Sequence, residues 1–379
     1  MVEARDRVGG RVHTLRGFAG GQLAEAGGEY IDSNHVLMRG YAKRFGLPLD
    51  DLLQAGSDNP GCVYLGGRRR TDASLYTPRV NAEIDRFYSA VSKLSDPLDP
   101  GDPVAAGARQ AAQVSLLFLA QGDSLPGGQA ERYRVRGGND QIPRALAHTL
   151  GTRVVLGAPV TAIAYDAGGV TVTAGGNMIQ ADACVLAAPL PALRAVAFSP
   201  ALPAALAGAI AHLQYGTGSK VALQYAGRPW RAQGFDGDTF TDLPISTTWE
   251  ATDAQRGSDG ILLAYTMGAP GAAFVALSDE QRIAAAAGDV ERIYPGAGTK
   301  LLGAQTVAWT DEPYTGGTYT AYAPGQVTAY WRALRRPVGG RIVLAGEHTD
   351  AFTAYMEGAA RSGRRAARWL QAHSTALLT

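Results

Sequence analysis

The sequence predicts an α/β protein in which a nucleotide-binding domain is interleaved with a second domain of mixed β-sheet and helices. Two segments carry the nucleotide-binding character: an apolar opening that leads into Glu3 and the Gly9-Gly10 pair, and the strand in 341–350 that runs into a Gly-acid turn. A third observation is the change at residue 153, after which β-branched residues cluster as strands prefer. Because the nucleotide-binding pieces lie far apart, we predict that the two domains alternate along the chain.

The opening segment resembles the second half of a dinucleotide-binding βαβ unit. Glu3 stands where an acidic side chain meets the ribose hydroxyls. Gly9 and Gly10 allow close approach to a phosphate, and Arg11 supplies a positive charge. The glycine-rich phosphate loop of such a unit is expected about 20 residues before the acidic residue. We therefore expect that a separate small polypeptide, or residues preceding Met1, supplies a β-loop-α segment of about 30 residues.

Composition narrows the class of protein. A length of 379 residues favours two domains, and 35 basic against 34 acidic residues gives no reason to expect a nucleic-acid or membrane partner. No signal peptide is visible, and the longest apolar region, 183–213, is interrupted by prolines. Cys62 and Cys184 are expected to be free thiols, and the six histidines have no metal-ligand spacing. A cytoplasmic protein without a metal is predicted.

Helices and strands are predicted from periodicity and capping signals. We expect helices in 34–47, at two places in 77–122 with the second over 102–122, in 278–294 behind a capping box of Ser278 and Gln281, and in 357–373. We expect strands in 153–176 around a Gly-Gly hairpin turn, and in 181–189, 219–226, 261–267, 302–309 and 341–350.

Seven motifs occur in order: "EARDRVGGR", "AGGEYID", "YRVRGGNDQIPRAL", "YGTGSKVAL", "GGTYTAYAPG", "RIVLAGEHT" and "AYMEGAARSGRRAA". Together they resemble the flavin-dependent amine oxidase family, which includes monoamine oxidase, polyamine oxidases and L-amino-acid oxidases. The resemblance implies a Rossmann-like FAD-binding domain made of 1–57, 132–200 and 314–379, with its first β-loop-α unit absent from this chain. It implies a substrate domain made of 58–131 and 201–313.

The resemblance also implies a set of residues that bind FAD. Gly27 and Gly28 are expected beside the flavin ring, the backbone of Val160 beside adenine, and Met356 at the start of a helix whose dipole suits the flavin pyrimidine edge. The full implied set is Glu3, Arg5, Gly9, Gly10, Arg11, Gly27, Gly28, Glu29, Val160, Gly346, Glu347, Tyr355 and Met356. Thr318 stands where monoamine oxidases carry the cysteine bonded to FAD, so noncovalent FAD is expected.

The catalytic residues implied by the resemblance are aromatic side chains and one lysine. Tyr319 and Tyr355 match the two tyrosines that form a slot for the substrate amine, and Trp309 matches a tryptophan near the flavin. Lys220 matches the lysine that holds a water against flavin N5. The alternative for Lys220 is a phosphate loop, although the full pattern is absent because Val221 follows the lysine.

The predicted reaction is the oxidative deamination of an amine. Hydride passes from the α-carbon to flavin N5, the imine hydrolyses, and O2 is reduced to H2O2. An L-amino-acid oxidase is the alternative, weakened because Tyr30 replaces the arginine that clamps the substrate carboxylate; Arg39 or Arg332 remains as a substitute. The non-enzymatic alternative is an FAD-free binding subunit or a truncated relic.

Overall fold

A computed structural model of the chain describes residues 1–95 and 131–378, together with residues 99, 102 and 104. Helices and strands are mixed along this described chain, which confirms the predicted α/β class. The helices are α1 (Val36–Arg44), α2 (Leu52–Ala55), α3 (Pro78–Ser95), α4 (Gln141–Leu150), α5 (Leu190–Leu193), α6 (Ala204–His212), α7 (Pro229–Ala232), α8 (Gly268–Val275), α9 (Asp279–Ile293), α10 (Gln326–Arg335) and α11 (Met356–Leu378).

Most strands are short, and the longest belong to one sheet. They are β1 (Thr14–Leu15), β2 (Ala24–Glu25), β3 (Leu49–Asp51), β4 (Cys62–Leu65), β5 (Arg68–Thr71), β6 (Tyr133–Val135), β7 (Val160–Asp166), β8 (Gly169–Ala174), β9 (Asn177–Ala181), β10 (Cys184–Leu186), β11 (Ala197–Ser199), β12 (Gly218–Tyr225), β13 (Thr239–Thr241), β14 (Thr247–Glu250), β15 (Gly260–Met267), β16 (Leu301–Ala308) and β17 (Ile342–Leu344).

The largest sheet has seven strands in the order β16-β12-β15-β14-β13-β4-β5. Every residue of β12 is buried, because β15 and β16 pair with it antiparallel on both sides and α9 packs against it. All seven strands come from segments 58–131 and 201–313, which the sequence assigned to the substrate domain. The division into domains stays a prediction.

The segments that the sequence assigned to the FAD-binding domain form smaller ladders. β10 and β17 pair in parallel, β11-β7-β8-β9 form a four-stranded sheet, and Val2 forms a parallel bridge with Val155. Helix α6 was assigned to the substrate side, but its buried Leu206 and Ala209 share a core with Trp331 of α10.

Several predicted elements are confirmed. The strands expected in 219–226, 261–267 and 302–309 are β12, β15 and β16. The capping box at the start of α9 is present: the Ser278 hydroxyl accepts the Gln281 N–H at 3.3 Å, and the Gln281 side chain accepts the Ser278 N–H at 3.0 Å.

Two further helix predictions have different outcomes. The helix predicted in 102–122 lies outside the described residues. The helix predicted in 34–47 is α1, which buries Met38 and Ala42 and leaves Val36, its first residue, 70% exposed.

The structure also bears on the predictions about the cysteines and about membrane-spanning segments. Cys62 and Cys184 are free thiols, as predicted, and burial raises the pKa of the Cys184 thiol to about 11. Across the part of the chain that the structure describes, no helix combines the length and the apolar character needed to cross a bilayer.

Candidate active site

A single cavity of about 1700 Å³ runs between the nucleotide-binding ladders and the seven-stranded sheet. It is larger than the pocket of a drug-sized ligand, for which about 300–1,000 Å³ is typical, and so has room for a dinucleotide and a substrate. Every residue predicted for the site lines it: Glu3, Arg5, Gly9, Gly10, Arg11, Gly27, Gly28, Glu29, Val160, Lys220, Trp309, Tyr319, Gly346, Glu347, Tyr355 and Met356. Folding thus brings together motifs from both ends of the sequence.

The loop that follows β2 lies directly against the loop that contains Arg11. The Gly28 N–H donates to the Arg11 carbonyl at 3.0 Å, and a Cβ at Gly27 would lie 1.7 Å from that carbonyl oxygen. Only glycine allows this approach. Gly9 has φ of 100°, a left-handed conformation that also favours glycine. These positions leave backbone open to the cavity, as a cradle for a flat or phosphorylated ligand requires.

A buried carboxylate joins the two ends of the chain at the cavity wall. Arg11 donates one N–H to the Glu347 carboxylate at 3.0 Å and to the Thr318 carbonyl at 2.9 Å. The Ala354 N–H and the Thr320 hydroxyl donate to the same carboxylate. Burial opposes ionisation, but the Arg11 charge and these donors hold the pKa of Glu347 below its usual value.

Aromatic side chains form the wall of the cavity next to β12. The hydroxyls of Tyr265 and Tyr319 are 3.5 Å apart, and Trp249 meets Tyr265 edge to face with ring centroids separated by 5.9 Å. Tyr355 is supported from behind by the buried His35 ring at a centroid distance of 5.1 Å. This wall offers π-faces and few charges, which suits an amine near its neutral form.

Lys220 lies inside β12, opposite Tyr265 on the neighbouring strand. Its position in a continuous strand excludes the phosphate-loop alternative, which requires the lysine at the start of a helix. The Lys220 Nζ donates to the Glu29 carboxylate at 2.7 Å and to the carbonyls of Gly27 and Glu25 at 3.2 and 3.3 Å. An ammonium has three N–H donors, so the protein already engages all of them.

A second buried carboxyl, Glu25, lies next to the Lys220 contacts. Burial raises the pKa of Glu25 to about 7, although the Asn139 N–H, the Arg134 charge and the Thr14 hydroxyl favour the carboxylate. Glu25 is therefore a buried acid that changes its charge close to neutral pH.

Three residues near the site were missed from the sequence. Trp249 and Tyr265 line the cavity but belong to no motif; only the register of β15 against β12, and of β14 against β15, brings them near Lys220. Arg134 belongs to the "YRVRGGND" motif, and its pairing with Glu29 at 2.9 Å crosses from β6 to the loop after β2. The sequence signal for this pair is an acidic residue in one motif, Glu29, and a basic residue in the other, Arg134, which can compensate each other when both are buried.

The arginines proposed as substitute carboxylate ligands lie elsewhere. Arg39 is exposed and donates to the Ser33 carbonyl, and Arg332 is exposed and paired with Asp102. Neither lines the cavity; the arginines described there are Arg5 and Arg11, paired with Glu312 and Glu347.

The residues present fit a flavin dinucleotide. Gly10 lines the cavity at a point where an added Cβ would meet no protein atom within 4 Å, and α11 begins at the cavity wall with Met356. A helix N-terminus presents N–H groups and a positive dipole to a ligand. Glu3, Val160, Lys220 and Tyr319 all line the same cavity.

Comparison with known proteins bears on what this cavity holds. The profile of the family described as flavin containing amine oxidoreductase matches residues 1–120 and 104–370. A Mycobacterium tuberculosis protein with the name "Putative flavin-containing monoamine oxidase AofH" is 30% identical over an alignment of 415 positions that covers 97% of this chain and 90% of that protein. An L-amino-acid oxidase of Pseudechis australis is 25% identical over an alignment of 423 positions that covers 97% of this chain and 81% of the relative.

Solved structures have the same fold. Putrescine oxidase bound to putrescine matches with a TM-score of 0.85 at 23% identity, covering 98% of this chain and 93% of that one. Cyclohexylamine oxidase from Brevibacterium oxydans matches with a TM-score of 0.83 at 22% identity and the same coverage. These likenesses confirm the predicted Rossmann-like α/β fold.

The contact between Gly27 and Arg11 predicts unequal costs for two neighbouring substitutions. Gly27→Ala places a Cβ 1.7 Å from a backbone oxygen, so a loop must move, and we expect a loss of about 3 kcal/mol in the free energy of unfolding. Gly28→Ala meets the flexible Met356 side chain at 2.8 Å and is expected to cost about 1 kcal/mol. Urea unfolding of both variants measures the difference; equal costs would contradict the close approach.

Glu25 predicts a pH-dependent stability. Its pKa in the folded protein, about 7, lies above the unfolded value of 4.5, so its contribution is fully present below pH 4.5 and is lost as pH rises through 7. The shift corresponds to about 3 kcal/mol. The stability advantage of the wild type over Glu25→Gln should therefore shrink between pH 5 and pH 8 in urea unfolding. Glu83→Gln, on exposed α3, is the control and should show no such trend; an advantage that stays constant would refute the buried acid.

Proposed function

We propose, from the premise that this chain belongs to the flavin-containing amine oxidoreductase family, that it oxidises a small amine with FAD and O2. Flavin-dependent amine oxidation is the activity of that family. The observation that carries the finer proposal is the single cavity in which glycine loops, aromatic side chains and Lys220 meet. Its volume, with Glu3 placed for a ribose and Val160 for adenine, supports FAD over a mononucleotide.

We propose that FAD is held without a covalent bond. Thr318 lines the cavity. By the sequence resemblance it corresponds to the cysteine that monoamine oxidases bond to FAD, and a threonine hydroxyl does not form that thioether. Bound FAD supplies the electron acceptor for the amine α C–H bond, is reoxidised by O2 to give H2O2, and leaves an imine that water hydrolyses.

The protein's own contribution is orientation of the amine. Tyr319 and Tyr355 line the cavity, and each has a supporting aromatic neighbour, Tyr265 for the first and His35 for the second. These contacts restrict the motion of both side chains, so little further entropy is lost when the rings orient an amine. The low charge of this wall favours the neutral amine, which is the form that can be oxidised.

An amine without a carboxylate is the proposed substrate class. Among the described residues of the cavity wall, the only arginines are Arg5 and Arg11, and both are already paired with carboxylates. A carboxylate clamp requires an arginine with free donors. The likeness to L-amino-acid oxidases keeps an amino acid as the second candidate.

We also propose that a β-loop-α unit outside these 379 residues completes the pyrophosphate cradle. Residues 1–3 pair with Val155, and β10 pairs with β17, yet the two groups belong to separate ladders within the described residues. Both groups line the cavity, which separates them. A Rossmann-like sheet holds such strands in one ladder, so the space between them fits one additional parallel strand.

A flavin-binding experiment tests two proposals: that FAD is held without a covalent bond, and that an additional β-loop-α unit completes its site. FAD is added to residues 1–379 alone and to the same chain co-expressed with a β-loop-α unit that carries G-x-G-x-x-G. We expect stoichiometric FAD only with the unit, because backbone N–H groups of such a loop bind the pyrophosphate. Acid precipitation should then release all yellow colour into the supernatant.

Each statement has its own contrary outcome. Flavin that stays in the acid pellet would contradict noncovalent binding. Stoichiometric binding by 1–379 alone would contradict the additional unit. A chain that binds no flavin under either condition would overturn the proposed function.

The aromatic slot predicts the order of substitutions. Tyr319→Leu or Tyr355→Leu should lower kcat/KM roughly tenfold or more, which is about 1.4 kcal/mol of transition-state stabilisation. Phenylalanine at either position keeps the π-face and should cost less. Tyr41→Leu, on α1 outside the cavity, is the control. Stopped-flow reduction of the flavin by an amine measures these effects, and a leucine variant as fast as the wild type would refute the slot.

A further inference from the structure

Lys220 and Glu29 form a buried ion pair at the cavity wall. The Nζ and Oε2 atoms are 2.7 Å apart, and the two side chains are only 10% and 3% exposed. The remaining Lys220 donors reach the carbonyls of Gly27 and Glu25. Lys220 therefore has no N–H left for a water or a ligand while Glu29 holds it.

The other oxygen of Glu29 has partners of its own. Its Oε1 accepts an N–H from Arg134 at 2.9 Å and the indole N–H of Trp249 at 3.1 Å. One carboxylate thus lies between two cations in a region from which solvent is excluded. Charges interact strongly in such surroundings, and a buried cation that loses its counter-charge acts on everything near it.

We propose that Glu29 is the positioning residue of Lys220: it fixes the ammonium at the cavity wall and offsets part of the positive charge there, and so tunes the reduction potential of the flavin. The inference rests on the proposed function, since it requires a flavin in this cavity. Charge close to the flavin ring tunes its electron affinity. Loss of the Glu29 charge leaves the Lys220 ammonium uncompensated, which stabilises the negative charge that a flavin gains on reduction.

The chain offers a matched control on the neighbouring strand. Glu250 of β14 is buried like Glu29 and accepts N–H groups from Arg228, Arg231 and the indole of Trp230. It follows Trp249 in the strand, so its side chain points to the opposite face of the sheet, and it does not line the cavity. Glu250→Gln reproduces the loss of a buried, multiply bonded carboxylate without changing the charge at the site.

The experiment uses the full chain loaded with FAD. The two-electron potential of the flavin is measured by spectroelectrochemistry, and the Kd of sulfite, an anion that adds to oxidised flavin, is measured by titration. For Glu29→Gln we expect sulfite binding about tenfold tighter and a potential about 30 mV higher, which is the same factor for a two-electron couple. Glu29→Asp keeps the charge and should remain near wild type, and Glu250→Gln should leave both quantities unchanged.

A double substitution asks whether Glu29 acts through Lys220. In a Lys220→Met background, Glu29→Gln should change the sulfite Kd by clearly less than tenfold, because no uncompensated ammonium remains. A simple structural role for Glu29 would lower stability but would not move the potential in this pattern. If Glu29→Gln does not fold, Glu29→Ser, which is neutral and smaller, gives the same comparison.

Failure of the inference is distinct from failure of the proposed function. Unchanged potential and sulfite affinity in Glu29→Gln, or an equal change in Glu250→Gln, would overturn the role of Glu29 even if the enzyme oxidises amines. An enzyme that binds FAD but is not reduced by any amine would overturn the proposed function, while the comparison of potentials still decides the role of Glu29.

Discussion

The shape of the cavity depends on the ion pair and the hydrogen bonds that the Glu347 carboxylate accepts. Arg11 comes from the first motif, Thr320 from the segment after the seven-stranded sheet, and Ala354 from the approach to α11, yet all three donate to Glu347. A buried carboxylate without these partners would cost several kcal/mol. The donors must therefore be in place when the protein is folded, and this requirement holds three distant segments at one point of the cavity wall.

A second buried carboxylate, Glu29, also holds distant segments of the chain together, at another part of the cavity wall. There Arg134 comes from β6, Lys220 from β12 and Trp249 from β14. The glycine contact between Gly27 and Arg11 lies between the two charge clusters and joins them. The space for a ligand is thus bounded by two compensated charge clusters, with aromatic rings filling the wall between them.

The sequence predicted the parts of this arrangement that local patterns encode. Strands β12, β15 and β16, the Ser278 capping box and the glycine loops follow from alternation, capping chemistry and turn composition. Tyr265 was not predictable, because it reaches the site through antiparallel register with β12 over about 45 positions of chain. The outward turn of Val36 depends on which neighbour packs against α1, and a helical period alone does not contain that information.

The cavity that separates the parallel ladders has a consequence for how the protein unfolds. Residues 1–3 and strand β10 contribute to the lining of the same cavity although they belong to separate ladders, so a bound ligand can contact both. Such a ligand binds the folded chain and not the unfolded one, so mass action adds its binding free energy to the stability, about 2.7 kcal/mol at a hundredfold excess over Kd. A bound cofactor then contributes to the stability of the fold, and the melting temperature of this protein is expected to rise with the concentration of cofactor.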